Sequence, residues 1–178
     1  AVTDKVSRLQ NGLDAGDPWS YYHNPFVATR EMNGLLVLMV MLGNSDIKDE
    51  QNVLYKLKEP FEGATHWYVA RDLGQSFGRT GVLDAPRGDI KVFEDTPFIK
   101  GMAGQHVRFD WRGRHGRLVD RMTPADVRWI CDRLERLTDT QWQDAFRAGG
   151  YNQETADRFI RRFKDEIMPF TIPQKKGD

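Results

Sequence analysis

Residues 43–74 read GNSDIKDEQN-VLYKLKEPFEGATHWYVA-RDLG: a polar loop with Asp46, Lys48 and Asn52, two strand-like runs, and a second acidic loop with Asp72. The runs NVLYKLKEP and THWYVARD are rich in β-branched and aromatic residues, and FEGA with its Gly63 separates them, so the spacing predicts a β-hairpin. A hairpin returns the chain to its starting point, which is expected to set Asp72 beside Asn52.

Working outward, VATREMNGLLVLMVML (27–42) contains no proline and is apolar on every face in its second half. That pattern predicts a helix with a buried end, stopped by Gly43 and Asn44. Residues 2–13 place Val6, Leu9 and Leu13 on one stripe of a short amphipathic helix, followed by a turn-rich stretch. Downstream, 73–97 is rich in glycine and proline and is expected to be mostly irregular. Residues 106–111 alternate Val107, Phe109 and Trp111 on one face, as an exposed strand would. The last third is helical. Thr123 is the expected N-cap, Pro124 opens the first turn, and Val127, Ile130, Cys131, Leu134 and Leu137 follow at helical spacing. A second helix over 140–148 should stop at Gly149 and Gly150, and a third over 153–167 should end before Pro169. The expected architecture is α+β, mostly helical, a single domain over 1–178 in which a small hairpin carries the site.

The residue types of the two polar loops suit phosphoryl transfer. An aspartate such as Asp46 orients and deprotonates an attacking hydroxyl, and a lysine such as Lys48 offsets charge on the moving group. The oxygens of Asn52 and Asp72 are hard donors of the kind Mg²⁺ takes. In this order the chain resembles the catalytic (large, C-terminal) lobe of the protein-kinase-like superfamily, whose D-x-K loop and asparagine are followed by a hairpin and a D-F-G or D-L-G motif. Asp72-Leu73-Gly74 is similar to that last motif. The resemblance implies Asp46 as base, Lys48 as phosphate contact, Asn52 and Asp72 as Mg²⁺ ligands, and Gly74 beside a bound ATP.

A closer likeness, to a group of bacterial proteins of uncharacterised function, runs through N-P-F-x-x-T-R-E-x-N-G-L (24–35), N-x-D-x-K-D (44–49), D-L-G-x-S-F-G (72–78) and A-D-V-R-W-I (125–130). It implies a small N-terminal lobe that these residues do not contain, so a preceding region or a second chain is expected over the site. The pattern departs from conventional protein kinases in three ways. Ser45 rather than H-R precedes Asp46, Asn52 lies six residues after Asp46 rather than five, and neither a G-x-G-x-x-G nor an A-P-E motif occurs. The expected function is therefore Mg²⁺-dependent phosphoryl transfer from a nucleotide to an unspecified acceptor. The alternatives are a catalytically inactive kinase-like binding or scaffold module and a metal-dependent hydrolase.

Composition narrows the partners. Twenty-six Lys+Arg balance 26 Asp+Glu, so bulk charge argues for neither nucleic acid nor an anionic membrane surface. The longest apolar run, 35–42, has eight residues, far short of the roughly 20 that span a bilayer. The single Cys131 cannot form an internal disulfide and assigns no compartment; it sits among the apolar positions of its helix, as a core residue does. His106, Asp110 and His115 form at most a weak metal pattern, because His115 falls in a Gly-Arg loop. The run RFDWRGRHGR (108–117) carries four arginines beside Trp111 and reads as a solvated arginine face, with phosphate or single-stranded nucleic acid as the sharper alternative. Arg87-Gly88-Asp89 reads as a turn, and Arg30 and Glu31 as ion pairs that brace the Asp46 loop from the helix below it, with an exposed salt bridge at the helix start as the plainer alternative.

Overall fold

The computed structural model describes residues 13–71, 73–78 and 88–171. The expected helix over 2–13 lies outside these residues except for Leu13, which opens a strand, β1 (Leu13–Ala15). The long apolar helix is α1 (Arg30–Met41), and its boundaries have local causes. Thr29 accepts a hydrogen bond from the Met32 N–H at its N-terminus, and Gly43 turns left-handed (φ +64°) past its end. Met32, Leu36, Val37, Met39, Val40 and Met41 are all buried, as the run of apolar residues required.

The expected hairpin forms from β2 (Val53–Phe61) and β3 (Ala64–Val69), antiparallel, with Phe61 paired to Ala64. Glu62 (φ +48°) and Gly63 (φ +81°) make the two-residue turn, whose twist requires positive φ at both positions. Pro60 has no N–H to give a ladder, and the register shifts between Lys56 and Phe61 where it lies. β1 pairs with β2, giving a sheet of order β1-β2-β3.

The irregular middle contains a short helix, α2 (Ile90–Asp95), whose N-cap Asp89 accepts from the N–H groups of Lys91 and Val92. That is the role of the aspartate in the 87–89 tripeptide; Arg87 lies outside the described residues. The 106–111 strand is not exposed as expected. It forms β5 (His106–Phe109), paired antiparallel with β4 (Ile99–Ala103), and Val107 is buried. Its partner strand was hidden by Gly101 and Gly104, which disrupt any alternating pattern before it.

The helical third comprises α3 (Gly116–Val119), α4 (Pro124–Leu134), α5 (Asp139–Ala148) and α6 (Gln153–Thr171). Capping boxes start α4 (Thr123 with Asp126) and α5 (Thr138 with Gln141). The expected stop before Pro169 does not hold: α6 includes Pro169 and ends two residues later, at Thr171. α4 crosses α1 closely because Gly34 has no Cβ. A methyl there would lie 2.4 Å from the Trp129 ring, on which the Arg133 guanidinium also stacks at 3.4 Å.

One core joins α1, α2, α4, α5 and α6. Against this core packs the half-buried Phe77, which meets Phe159 (ring centroids 4.9 Å), Phe146 (5.4 Å), Phe93 (5.7 Å), Phe163 and Tyr151 (both 6.0 Å). Phe77 does so from a left-handed backbone (φ +63°), with its N–H donating to the Leu42 carbonyl at 2.7 Å. Replacing Phe77 by Ala is expected to cost about 2–4 kcal/mol in urea unfolding, and a loss below about 1 kcal/mol would deny the ring its anchoring role.

Glu166 on α6 is buried, and burial drives its carboxyl up to about 7, although Arg162 at 2.8 Å opposes this. The folded state therefore keeps a proton that the unfolded chain releases near pH 4.5, so this group lowers stability as pH rises from 4.5 through 7, by up to about 3 kcal/mol. Glu166→Gln should remove that slope, read as the difference in unfolding free energy between pH 5 and pH 8 for variant and parent.

Candidate functional site

The loop that follows α1 is shaped by its own residues. Gly43 lies against Gly78, where a Cβ would come within 2.8 Å of the Gly78 carbonyl oxygen. Asn44 is 1% exposed, and its side-chain oxygen accepts from the Asp46 N–H at 3.1 Å, an Asx turn that aims Asp46 out of the loop. Residues Asp49–Gln51 then form a single 3-10 turn, closed by the Asn52 N–H donating to the Asp49 carbonyl.

Asp46 and Lys48 are brought together, with Lys48 Nζ 2.6 Å from Asp46 Oδ1. Gln51 Nε2 donates to the other carboxylate oxygen at 3.3 Å. Burial alone would raise the Asp46 carboxyl, but the hydrogen bonds from Lys48 and Gln51 and the charges of Lys48 and Arg114 outweigh it and hold the group below its ordinary 3.8. Asp46 is thus ionised at neutral pH, ready to accept a hydrogen bond or a proton from a hydroxyl placed against it.

Asn52 shares the loop but faces inward. It is 1% exposed, its Nδ2 donates to the Trp19 carbonyl at 3.0 Å, and its side chain is hydrogen-bonded with Tyr21. The Trp19 indole in turn donates to the Val69 carbonyl at 3.2 Å, so residues 19–22 form a strap across the base of the hairpin. Asp72 lies outside the described residues. The chain on either side of it is tied to the same loop: Arg71 Nε donates to the Gln51 carbonyl at 3.1 Å, and Phe77 N–H to Leu42. Gly74 is exposed in the 3-10 turn Leu73–Gln75. Oxygen donors of the type Mg²⁺ takes are therefore present on Asp46 and Asn52, and the described residues hold no cluster of three His, Cys, Asp or Glu side chains.

Two residues that the sequence does not connect with this loop shape it. His115 packs between Tyr21 (ring centroids 4.9 Å) and Tyr22 (5.3 Å), bonds the Ile47 carbonyl, and sets Nε2 3.3 Å from Asp49 Oδ1, which also accepts the Tyr21 N–H. Arg114 donates its N–H to the Ser45 carbonyl at 3.4 Å. Nothing local announces either contact, because the partners lie more than 60 positions apart in the sequence. The His106, Asp110 and His115 pattern is not assembled in these contacts: Asp110 pairs with Lys100 at 2.7 Å while His115 turns to Asp49. At the far end of α1, Asn33 rather than an Arg30–Glu31 brace makes the cross-link, donating to Asp126 at 2.8 Å. Cys131 is fully buried and burial pushes its thiol up to about 12, so it is an unreactive core residue.

Burial pulls the His115 imidazole below its ordinary 6.5 despite the Asp49 charge. The unfolded chain then takes up a proton before the folded one does, so stability is present above pH 6.5 and lost as pH falls below it. His115→Gln should flatten this acid-side loss, measured as the change in unfolding free energy between pH 7.5 and 5.5; an identical loss in the variant would sink the assignment.

Compared with known proteins, the chain matches no family model, no curated protein and no solved structure.

Proposed function

We propose that this chain is the catalytic part of a kinase-like, Mg²⁺-dependent phosphotransferase acting from ATP on a hydroxyl acceptor. The observation that carries the reading is the ionised, lysine-paired Asp46 in a loop fastened to the chain on both sides of position 72. In this reading Asp46 orients the acceptor hydroxyl and takes its proton. Lys48, already 2.6 Å from that carboxylate, balances the charge gathering on the transferred group. Asn52 and Asp72 would hold the metal, which when bound neutralises phosphate charge. A small lobe from a preceding region or another chain would complete the nucleotide site.

A second reading, a kinase-like scaffold without catalysis, is favoured by one specific fact. Asn52 spends its amide on Trp19 and Tyr21 and is almost wholly covered, so a cation reaches its oxygen only if the 19–22 strap moves aside.

Titration of Mg-ATP into the longest natural form of the chain separates the two. Phosphotransfer predicts binding that requires Mg²⁺ and weakens by at least about 10- to 100-fold in Asp72→Asn. Asp46→Asn should keep nucleotide affinity while losing transfer. No Mg-ATP binding in a form that includes a small lobe would establish the scaffold instead.

A further inference from the structure

The arginine-rich run at 112–117 is built against the Asp46 loop. The indole Nε1 of Trp111 donates to the Arg114 carbonyl at 3.0 Å, and Gly113 lies so close to that indole that a Cβ would come within 2.3 Å of the ring. His115 takes a left-handed backbone (φ +58°), uncommon without glycine, and is wedged between two tyrosines. Three contacts then join this bracket to the loop: Arg114 N–H to Ser45, the His115 ring to Ile47, and His115 Nε2 beside Asp49. The result is a short, internally braced turn with an exposed Arg114, whose backbone is bonded to Ser45, the residue before Asp46.

Asp46 is already paired with Lys48 and hydrogen-bonded by Gln51, and Asp49 accepts the Tyr21 N–H. The Arg114 guanidinium enters no salt bridge among the described residues, although its field reaches Asp46. An arginine on a rigid turn beside a carboxylate that is itself neutralised has a defined use: its planar fork matches an oxyanion.

We propose that Arg114 is an oxyanion-recognition site for the acceptor, which therefore carries a phosphate or carboxylate group close to the hydroxyl presented to Asp46. The proposal rests on the phosphotransfer reading for the word acceptor, while the oxyanion site itself is tested without nucleotide.

The test follows the arginine Nε–H and tryptophan indole N–H resonances of the 178-residue chain during separate titrations with inorganic phosphate and with glutarate. Expected are saturable shifts at Arg114 and at the Trp111 indole. Affinity should fall by about tenfold or more in Arg114→Ala, fall less in Arg114→Lys, which keeps the charge and loses the fork, and stay unchanged in Arg117→Ala. Whichever of phosphate and glutarate binds more tightly names the acceptor's anionic group. Equal affinity in Arg114→Ala and the parent, or no saturable shift with either anion, overturns the proposal. Loss of Mg-ATP binding with Arg114-dependent oxyanion binding intact refutes the phosphotransfer reading and upholds the oxyanion site, whereas the reverse result refutes the oxyanion site alone.

Discussion

Phe77 enters the helical core from a backbone conformation that costs a non-glycine residue about 1–2 kcal/mol, and five surrounding aromatic rings hold it there. The consequences spread in both directions along the chain. Its N–H takes up the Leu42 carbonyl at the end of α1, and the next residue, Gly78, packs against Gly43. The start of the Asp46 loop and the segment that follows the hairpin are thereby fixed to one point on α5 and α6. Two polar loops separated by a hairpin acquire a common foundation through one apolar side chain.

On that foundation the loop is held by polar contacts from two further segments. The 19–22 strap reaches it through the Tyr21 N–H to Asp49 and through Asn52, and the 111–117 turn reaches it through Arg114 and His115. Asp46 and Asp49 each have a partner within the chain, Lys48 and Gln51 for the first and the Tyr21 N–H for the second. That arrangement rigidifies Asp46, and beside it the exposed Arg114 enters no salt bridge among the described residues. Asn52 is buried beneath the strap and bonded to it through the Trp19 carbonyl.

The two sheets contribute differently. β1, β2 and β3 hold the strap and the loop at their base, while the far end of the hairpin stands clear of the core with Phe61 and Trp67 exposed. β4 and β5 buttress the turn that carries Arg114, with Val107 N–H donating to the Met122 carbonyl as a link to the helical third.

Much of the fold was legible in the residues because the causes are local. Thr29, Thr123 and Thr138 cap their helices, Glu62-Gly63 turns the hairpin, and Gly43 ends α1, each by backbone preferences that act within a few positions. The pairing of Asp46 with Lys48 is equally local, two residues apart in one loop. What the sequence by itself left open is whatever depends on meetings across the chain. β4 was obscured by its glycines, and α6 ran through Pro169 where a local rule expected a stop. His115 read as a stray loop histidine and Arg114 as part of a solvated face until the tertiary structure set them against Asp49 and Ser45, more than 60 residues away. Capping and turn energies are encoded within a few residues and so can be read from them; the burial of Asn52, the anchoring of Phe77 and the charge around Asp46 arise only when distant segments exclude water together, and only the folded chain decides them.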